Sequence, residues 1–234
     1  NDIFLIDRIK NIAFKITPIN YLHPTLMKWK DKDNLYFTNI DGNNTTLLLY
    51  NINKNSSSKV LNLDKIIESF DVYDDKIIFA EYDQYSINKN LYLIENKDEM
   101  KLIGTGFKPM LFNNKYIIYL ENIENKNKNN LKIYSTEEKS VVDTLDYNIL
   151  NYYKLDNNNL LFVENLNLNN QFNFGKYNIN DNISNIISQI NSDKLFYNPE
   201  KKIAYISLTI PTKEKNVYNI YSIDLTKMNS NKTN

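Results

Sequence analysis

The sequence predicts an all-β protein assembled from repeats of about 42 residues, and three observations lead to this prediction. First, an aromatic residue recurs inside a short apolar run, at Phe37, Phe79, Tyr119, Phe162 and Tyr205. Second, a tyrosine recurs behind it with nearly the same spacing, at Tyr50, Tyr92, Tyr134, Tyr177 and Tyr221. Third, turn residues separate the runs. A period near 40 residues built from short strands is typical of a β-propeller.

Each repeat contains four candidate strands. A first apolar run (24–29, 70–73, 109–112, 151–155 and 195–197) precedes a turn that contains Asp, Asn or Pro. These residues suit tight turns between antiparallel strands. The two aromatic markers define the second and third strands, and a fourth run follows at 60–63, 100–103, 141–145 and 183–187. Four antiparallel strands per repeat predict one propeller blade.

The two ends of the chain predict how the propeller closes. Residues 3–7 resemble the third strand at 220–224, and residues 12–16 are predicted as a fourth strand. We therefore expect one propeller domain over 1–227 and a polar tail over 228–234. In this domain the strand at 12–16 is expected to pair beside 218–225 and to close the ring, which removes an exposed sheet edge. The strand count favours five blades, and a truncated six-bladed ring is the alternative.

Composition excludes several classes of function. The chain has 28 basic and 28 acidic side chains, a net charge of zero, so no electrostatic attraction to nucleic acid is expected. It has no cysteine, which excludes disulfides and thiolate metal sites. No apolar run approaches the roughly 18 residues of a membrane-spanning helix. The chain starts at Asn1, without methionine, and we expect a mature or trimmed form.

The repeat resembles the propellers of the TolB-like and dipeptidyl-peptidase amino-domain families. The resemblance is carried by a first strand that contains Pro24, a second strand Leu35–Thr38 and a third strand Leu49–Ile52. It extends from Ile3 to Leu225. It implies a β-propeller of four-stranded blades and, together with the neutral charge and Asn-rich loops, favours a location outside the cytoplasm.

Candidate site residues occupy one repeated position. Two residues after each first aromatic lie Asn39, Glu81, Glu121, Glu164 and Ser207, and Asn122 and Asn165 follow two of the glutamates. Residues two apart in a strand share a face. One interpretation is an arc of carboxylates near the channel mouth that could hold Ca²⁺ or accept hydrogen bonds from sugar hydroxyls. The interpretation that we favour is that each glutamate accepts hydrogen bonds from the backbone of a neighbouring blade. His23 and Tyr152 would lie on the lip of the channel.

Three functions fit this pattern. The preferred one is a non-catalytic module that presents its loops to a protein, a peptide or a glycan, with no cofactor beyond the possible Ca²⁺. The second is a glycoside hydrolase, which needs two carboxyl groups about 5–9.5 Å apart, and Asp71 with Glu81 or Glu121 would be the candidates. The third is a regulatory domain of a larger protein. The sequence leaves the oligomeric state open.

Overall fold

The computed structural model describes residues 4–7, 10–15, 24–95, 99–168, 171–211 and 216–226. Within these ranges the regular structure is entirely β, as predicted, and no residue lies in a helix. No membrane-spanning helix is therefore found in this part of the chain. The chain divides into two compact units, Asn1–Glu121 with Ile133–Val142 and Asn122–Lys132 with Asp143–Asn234. Each is described separately, and the single-domain prediction for 1–227 stays a prediction.

Unit 1 begins with a two-stranded hairpin and a four-stranded blade. The hairpin consists of β1 (Phe4–Asp7) and β2 (Ile12–Lys15). Blade one follows as β3 (Pro24–Trp29), β4 (Asn34–Asp41), β5 (Asn44–Asn51) and β6 (Ser56–Leu63), paired in chain order. Leu5 of the hairpin packs against the buried cluster Leu35, Phe37, Leu48 and Tyr50 of blade one.

Blades two and three share a strand. Their seven-stranded sheet runs in chain order through β7 (Ile67–Tyr73), β8 (Lys76–Glu81), β9 (Lys89–Ile94), β10 (Met100–Leu111), β11 (Tyr116–Ile123), β12 (Lys128–Ser135) and β13 (Ser140–Leu145). The sequence predicted two separate strands at 100–103 and 109–112. The residues between them lack a hairpin turn signal and stay extended, so one strand pairs with β9 and then with β11. Bulges near Gly104 and Lys108 bend this strand.

Unit 2 contains a complete blade and a three-stranded sheet. Blade four is formed by β14 (Ile149–Lys154), β15 (Asn159–Leu168), β16 (Gln171–Asn178) and β17 (Ile183–Ile190). The next sheet has β18 (Leu195–Asn198), β19 (Ile203–Pro211) and β20 (Asn216–Asp224). Leu161, Val163 and Phe174 of blade four pack against Ala204 and Ile206 of this sheet, because strand alternation turns these side chains inward.

Asparagine replaces glycine in many of the turns. The chain has only four glycines, and a left-handed backbone is needed where tight turns reverse the chain. Among the described residues with a Cβ, that conformation is taken between strands by six Asn or Asp residues (Asn11, Asn55, Asp74, Asn125, Asn127 and Asn182) and by two lysines (Lys139 and Lys202). Asn and Asp tolerate positive φ better than other residues with a Cβ. Asp74 lies in the turn that the sequence predicted before the second strand of its repeat.

The first aromatic marker is core in four repeats out of five. Phe37, Phe79, Tyr119 and Phe162 are all buried. Tyr205 is partly exposed, because the strand around it is out of phase with the others and Ala204 and Ile206 face blade four instead. A shift by an odd number of residues moves a side chain to the opposite face of its sheet.

The predicted pairing of 12–16 with 218–225 is not made by the described residues. Ile12–Lys15 pairs with Phe4–Asp7, and the sheet that contains β20 has three strands. Only four residues separate β1 from β2, so closing this hairpin costs less chain entropy than pairing with a strand 200 residues away. The N-terminal closure is thus a correction to the prediction, and the five-blade and six-blade alternatives both stay predictions.

Candidate functional site

A row of three polar side chains crosses the end of blade two. Ala80 pairs with Leu91, so Glu81 at the end of β8 lies opposite Asn90, and Asn90 pairs with Thr105 of β10. Directly opposite residues in antiparallel strands share a face and bring their side chains within contact distance. We call Glu81, Asn90 and Thr105 the polar row of blade two.

Glu81 is held in place by several hydrogen bonds. One carboxylate oxygen, Oε1, accepts a hydrogen bond from Lys65 Nζ at 2.8 Å, and Oε2 accepts a long one from Asn90 Nδ2 at 3.3 Å. The Lys65 ammonium also lies 4.9 Å from the centre of the Tyr92 ring, which stacks on Phe79. Cation–π attraction and the ion pair together fix the position of Lys65.

The charges of this pair are stabilised in the fold. Desolvation opposes ionisation of Glu81, but the hydrogen bonds from Lys65 and Asn90 outweigh it, so the pKa of Glu81 is lowered. The hydrogen bond to Glu81 raises the pKa of Lys65, against its desolvation. Both side chains are therefore charged at neutral pH.

The same row recurs in other blades. In blade one it consists of Asn39, Thr46 and Asn62, with Thr46 Oγ1 donating to Asn62 Oδ1 at 2.8 Å. In blade four it consists of Glu164, Asn173 and Gln189, with Asn173 Nδ2 donating to Glu164 Oε2 at 2.8 Å. In blade three, Asn130 hydrogen bonds with Asp146.

The partners in these rows were missed by the sequence analysis, although a signal existed. Asn90, Asn130 and Asn173 each follow a glutamate of the predicted arc by nine residues, and Thr105, Asp146 and Gln189 follow these asparagines by 15 or 16. Glu81 and Glu164 thus each accept a hydrogen bond from an asparagine of their own blade. These two hydrogen bonds come from side chains, and not from the backbone of a neighbouring blade as expected.

The other predicted site residues fall in different surroundings. Asn122 Nδ2 donates to Asn129 Oδ1 at 2.8 Å, across the turn between β11 and β12. The Asn165 amide donates to the carbonyl of Asn148 at 2.8 Å, next to the first strand of its blade. Burial and the charge of Glu121 raise the pKa of Tyr119 to about 12.

The remaining predicted site residues are Ser207, Tyr152 and His23. The Ser207 amide donates to the carbonyl of Lys194, as Asn165 does to Asn148, so Ser207 corresponds to the residue after the glutamate. Tyr152 is half-buried in β14 opposite Phe162, and desolvation raises its pKa. His23 lies outside the described residues.

Asp71 links the first strands of neighbouring blades within unit 1. It is 3% exposed. Oδ1 forms an ion pair with Lys28 of β3 and accepts from the Val72 amide, and Oδ2 accepts from the Leu111 amide of β10 at 2.9 Å. Both carboxylate oxygens are therefore occupied, and the side chain joins β3, β7 and β10 within unit 1.

Asp71 and Glu81 do not face each other. Asp71 pairs with Ile78, three residues before Glu81 along β8, which is about 10 Å of strand. The odd offset also places the two carboxylates on opposite faces of the sheet. This pair does not meet the geometry that a glycoside hydrolase requires.

A cleft opens beside the polar row of blade two. It measures about 580 Å³ and is formed by the row together with residues of the β8–β9 loop, chiefly Tyr82, Asp83 and Tyr85. Tyr82 is 49% exposed and Tyr85 is 90% exposed. Lys89 lies at the loop's base, where it bonds the carbonyl of Asp83 and pairs with Glu68 at 3.3 Å. The cleft thus combines exposed aromatic rings with fixed polar groups.

The carboxylates do not gather into a metal site in the part of the chain that is described. No group of three or more His, Asp or Glu side chains lies close enough there to hold an ion. The possible Ca²⁺ site stays a prediction.

Known proteins resemble this chain in fold and show no significant match to it in sequence. No protein-family model matches the sequence, and no curated protein matches it significantly. The structure superposes on oligogalacturonate lyase from Vibrio parahaemolyticus with a TM-score of 0.71 at 9% identity, over 96% of this chain and 68% of that one. TolB from Acinetobacter baumannii gives 0.63 at 11%, over 95% and 57%. The chain has the fold of the TolB-like β-propellers.

A third structure extends this likeness. The β-propeller domain of the Trilobed protease from Pyrococcus furiosus gives a TM-score of 0.60 at 10% identity, over 89% of this chain and 70% of that one. The chain spans less than two thirds of the TolB structure. Some of these TolB-like structures are enzymes, and at such identities the likeness concerns the fold alone.

Proposed function

We propose that this TolB-like chain is a non-catalytic recognition module that binds a partner through the β8–β9 loop of blade two. The observation that carries the proposal is the exposure of Tyr82, Tyr85 and Ile87, the last at 63%, within one short loop beside a polar cleft. Large exposed side chains grouped at one place mark interaction sites, whereas scattered ones are ordinary. Tyrosine is also enriched where proteins contact ligands, since it offers a rigid ring and a hydroxyl.

The state of the acidic residues supports binding over hydrolysis. A general acid or nucleophile needs a carboxyl group that can reach the substrate. Asp71 is buried with both oxygens bonded, and it lies on the opposite face of the sheet from Glu81, so the two carboxyl groups cannot act together on one glycosidic bond. The partner we propose is a protein, a peptide or a carbohydrate that fits against the loop.

An array of peptides, glycans and immobilised proteins, probed with the purified chain, tests this proposal. Tyr85→Ala should remove most of the signal, because the exposed ring would supply the main contact area. Phe196→Ala is the matched control, since Phe196 is also an exposed aromatic, at 67%, but lies in β18 of unit 2. Binding that survives Tyr85→Ala unchanged would contradict the proposed role of this loop.

A further inference from the structure

The cleft of blade two has the chemistry of a site for an uncharged sugar. Its floor is the polar row of Glu81, Asn90 and Thr105, and its wall is the β8–β9 loop with Tyr82 and Tyr85. Its volume of about 580 Å³ lies within the range of small-ligand sites. From this geometry we infer that the cleft binds a neutral oligosaccharide, an inference that rests on the proposed function and specifies its ligand.

Hydrogen-bonding capacity in the floor matches a pair of sugar hydroxyls. Lys65 Nζ donates to Oε1 of Glu81, and Oε2 accepts the long 3.3 Å contact from Asn90. An ionised carboxylate oxygen can accept more than one hydrogen bond, and a hydroxyl donor would find it fixed in place. Asn90 and Thr105 next to it supply donors and acceptors. Neighbouring hydroxyls on a sugar ring require this mixture.

Charge in the cleft disfavours anionic ligands. Lys65 balances the charge of Glu81. The Lys89 ammonium donates a hydrogen bond to the carbonyl of Asp83 and forms an ion pair with Glu68. Both lysines near the cleft therefore already have carboxylate partners, so an anionic sugar would lack a strong counter-charge. The remaining polar lining consists of neutral amides and hydroxyls and of Asp83, whose Oδ1 accepts a hydrogen bond from the Tyr85 amide.

The strands beside the cleft also disfavour an extended peptide. β8 pairs with β7 and β9, and β9 pairs with β8 and β10, so neither offers a free edge to a peptide backbone. The exposed ring of Tyr85 instead offers a flat apolar surface. A sugar ring has one apolar face and hydroxyls at its rim, which suits a tyrosine platform above a polar floor.

Calorimetric titration of the purified chain tests the inference with five probes: cellohexaose, maltohexaose, chitohexaose, oligogalacturonate and oligolysine. We expect at least one of the three neutral sugars to bind, with an affinity that changes little between low and high salt. Tyr85→Ala should weaken this binding about tenfold or more, which corresponds to loss of one strong contact. Tyr85→Phe keeps the platform and should bind nearly as the native chain does.

The outcomes separate this inference from the proposed function. Binding of only oligogalacturonate or oligolysine, lost in Tyr85→Ala, would overturn the neutral-sugar inference and leave the recognition function standing. Neutral-sugar binding that is unaffected by both Tyr85→Ala and Thr105→Val would overturn the assignment to this cleft. If no probe of any class binds in a Tyr85-dependent way, and the array also shows no such binding, both proposals fail.

Discussion

At the scale of single residues, Asp71 shows how one buried carboxylate joins three strands. Its oxygens are bonded to Lys28 of β3, to the adjacent Val72 amide and to the Leu111 amide of β10. A buried charge persists only when its hydrogen-bonding capacity is met. Sequence alone offered Asp71 as a possible catalytic acid, because burial and backbone partners depend on tertiary contacts that no local pattern contains.

We predict that Asp71→Asn destabilises the chain by roughly 1–3 kcal/mol, because the ion pair is lost and one amide donor is left poorly matched. Urea unfolding at neutral pH measures this change. Asp75→Asn is the control, since Asp75 is exposed in the turn between β7 and β8, and its effect should stay within about 0.5 kcal/mol. Equal effects of the two substitutions would contradict an anchoring role.

The Lys65–Glu81 pair predicts a pH-dependent contribution to stability. Because the pKa of Glu81 is lowered by folding, its contribution is present above the unfolded value near 4.3 and is lost as the pH falls through the folded value. Because folding raises the pKa of Lys65, the stability that Lys65 contributes is lost as the pH rises through the folded pKa of Lys65. Lys65→Met should therefore cost about 1 kcal/mol between these limits, and less in acid.

Urea unfolding of native chain and variant from pH 3 to pH 8 measures this difference. Lys115→Met is the matched control, because Lys115 pairs with Glu137 at 3.2 Å and both side chains are mostly exposed. Its effect should be small at every pH, since solvent screens exposed pairs. A Lys65→Met cost that does not diminish below pH 4 would show that the pair is not its source.

At the scale of elements, the strand register decides which repeated residues meet. The periodic aromatics predicted the core positions of Phe37, Phe79, Tyr119 and Phe162, because burial at alternate strand positions is a local pattern. The register of the second aromatic marker, the recurring tyrosine, differs from blade to blade. Tyr50 pairs with Leu35 and Tyr177 with Leu160, but Tyr92 pairs with Phe79 and Tyr221 with Ile206. Loop lengths set these registers, and equal spacing in sequence did not show the differences.

Gly175 provides a test of close packing inside blade four. A Cβ built on this residue would lie 2.2 Å from the Phe162 ring, which covers the strand opposite. We predict that Gly175→Ala destabilises the chain by roughly 1–3 kcal/mol through overpacking. Thermal unfolding measures the change.

A second substitution identifies the cause. Phe162→Leu opens space above Gly175, so the double variant should lose less stability than the two single changes added together. Additive effects would indicate that the glycine matters for some reason other than the ring above it.

At the scale of the whole molecule, the sequence predicted the fold class well and the closure poorly. Repeat length, turn residues and strand alternation are local properties, and they predicted the four-stranded antiparallel sheets of the TolB-like fold. The pairing of 12–16 with 218–225 depended on a choice between distant partners. The cleft of blade two was predicted only through Glu81, because Tyr82 and Tyr85 occur in one repeat and so left no periodic signal.

Ligand binding should raise the melting temperature of the whole chain. If a neutral hexasaccharide binds only the folded state, a concentration of about ten times its Kd should stabilise the fold by about 1.4 kcal/mol, or roughly 3–6 °C. Differential scanning fluorimetry across a sugar titration measures the shift. Tyr85→Ala should flatten the curve, and an equal shift in that variant would place the binding elsewhere.

The long strand β10 has a mechanical consequence. It pairs with β9 along its first half and with β11 along its second, so one continuous backbone belongs to two neighbouring blades. Adjacent blades linked by a loose loop can yield independently under load. Here a pull applied at β9 passes through one hydrogen-bonded ladder into the β10 backbone and through a second ladder into β11, and the bulges near Gly104 and Lys108 interrupt these ladders.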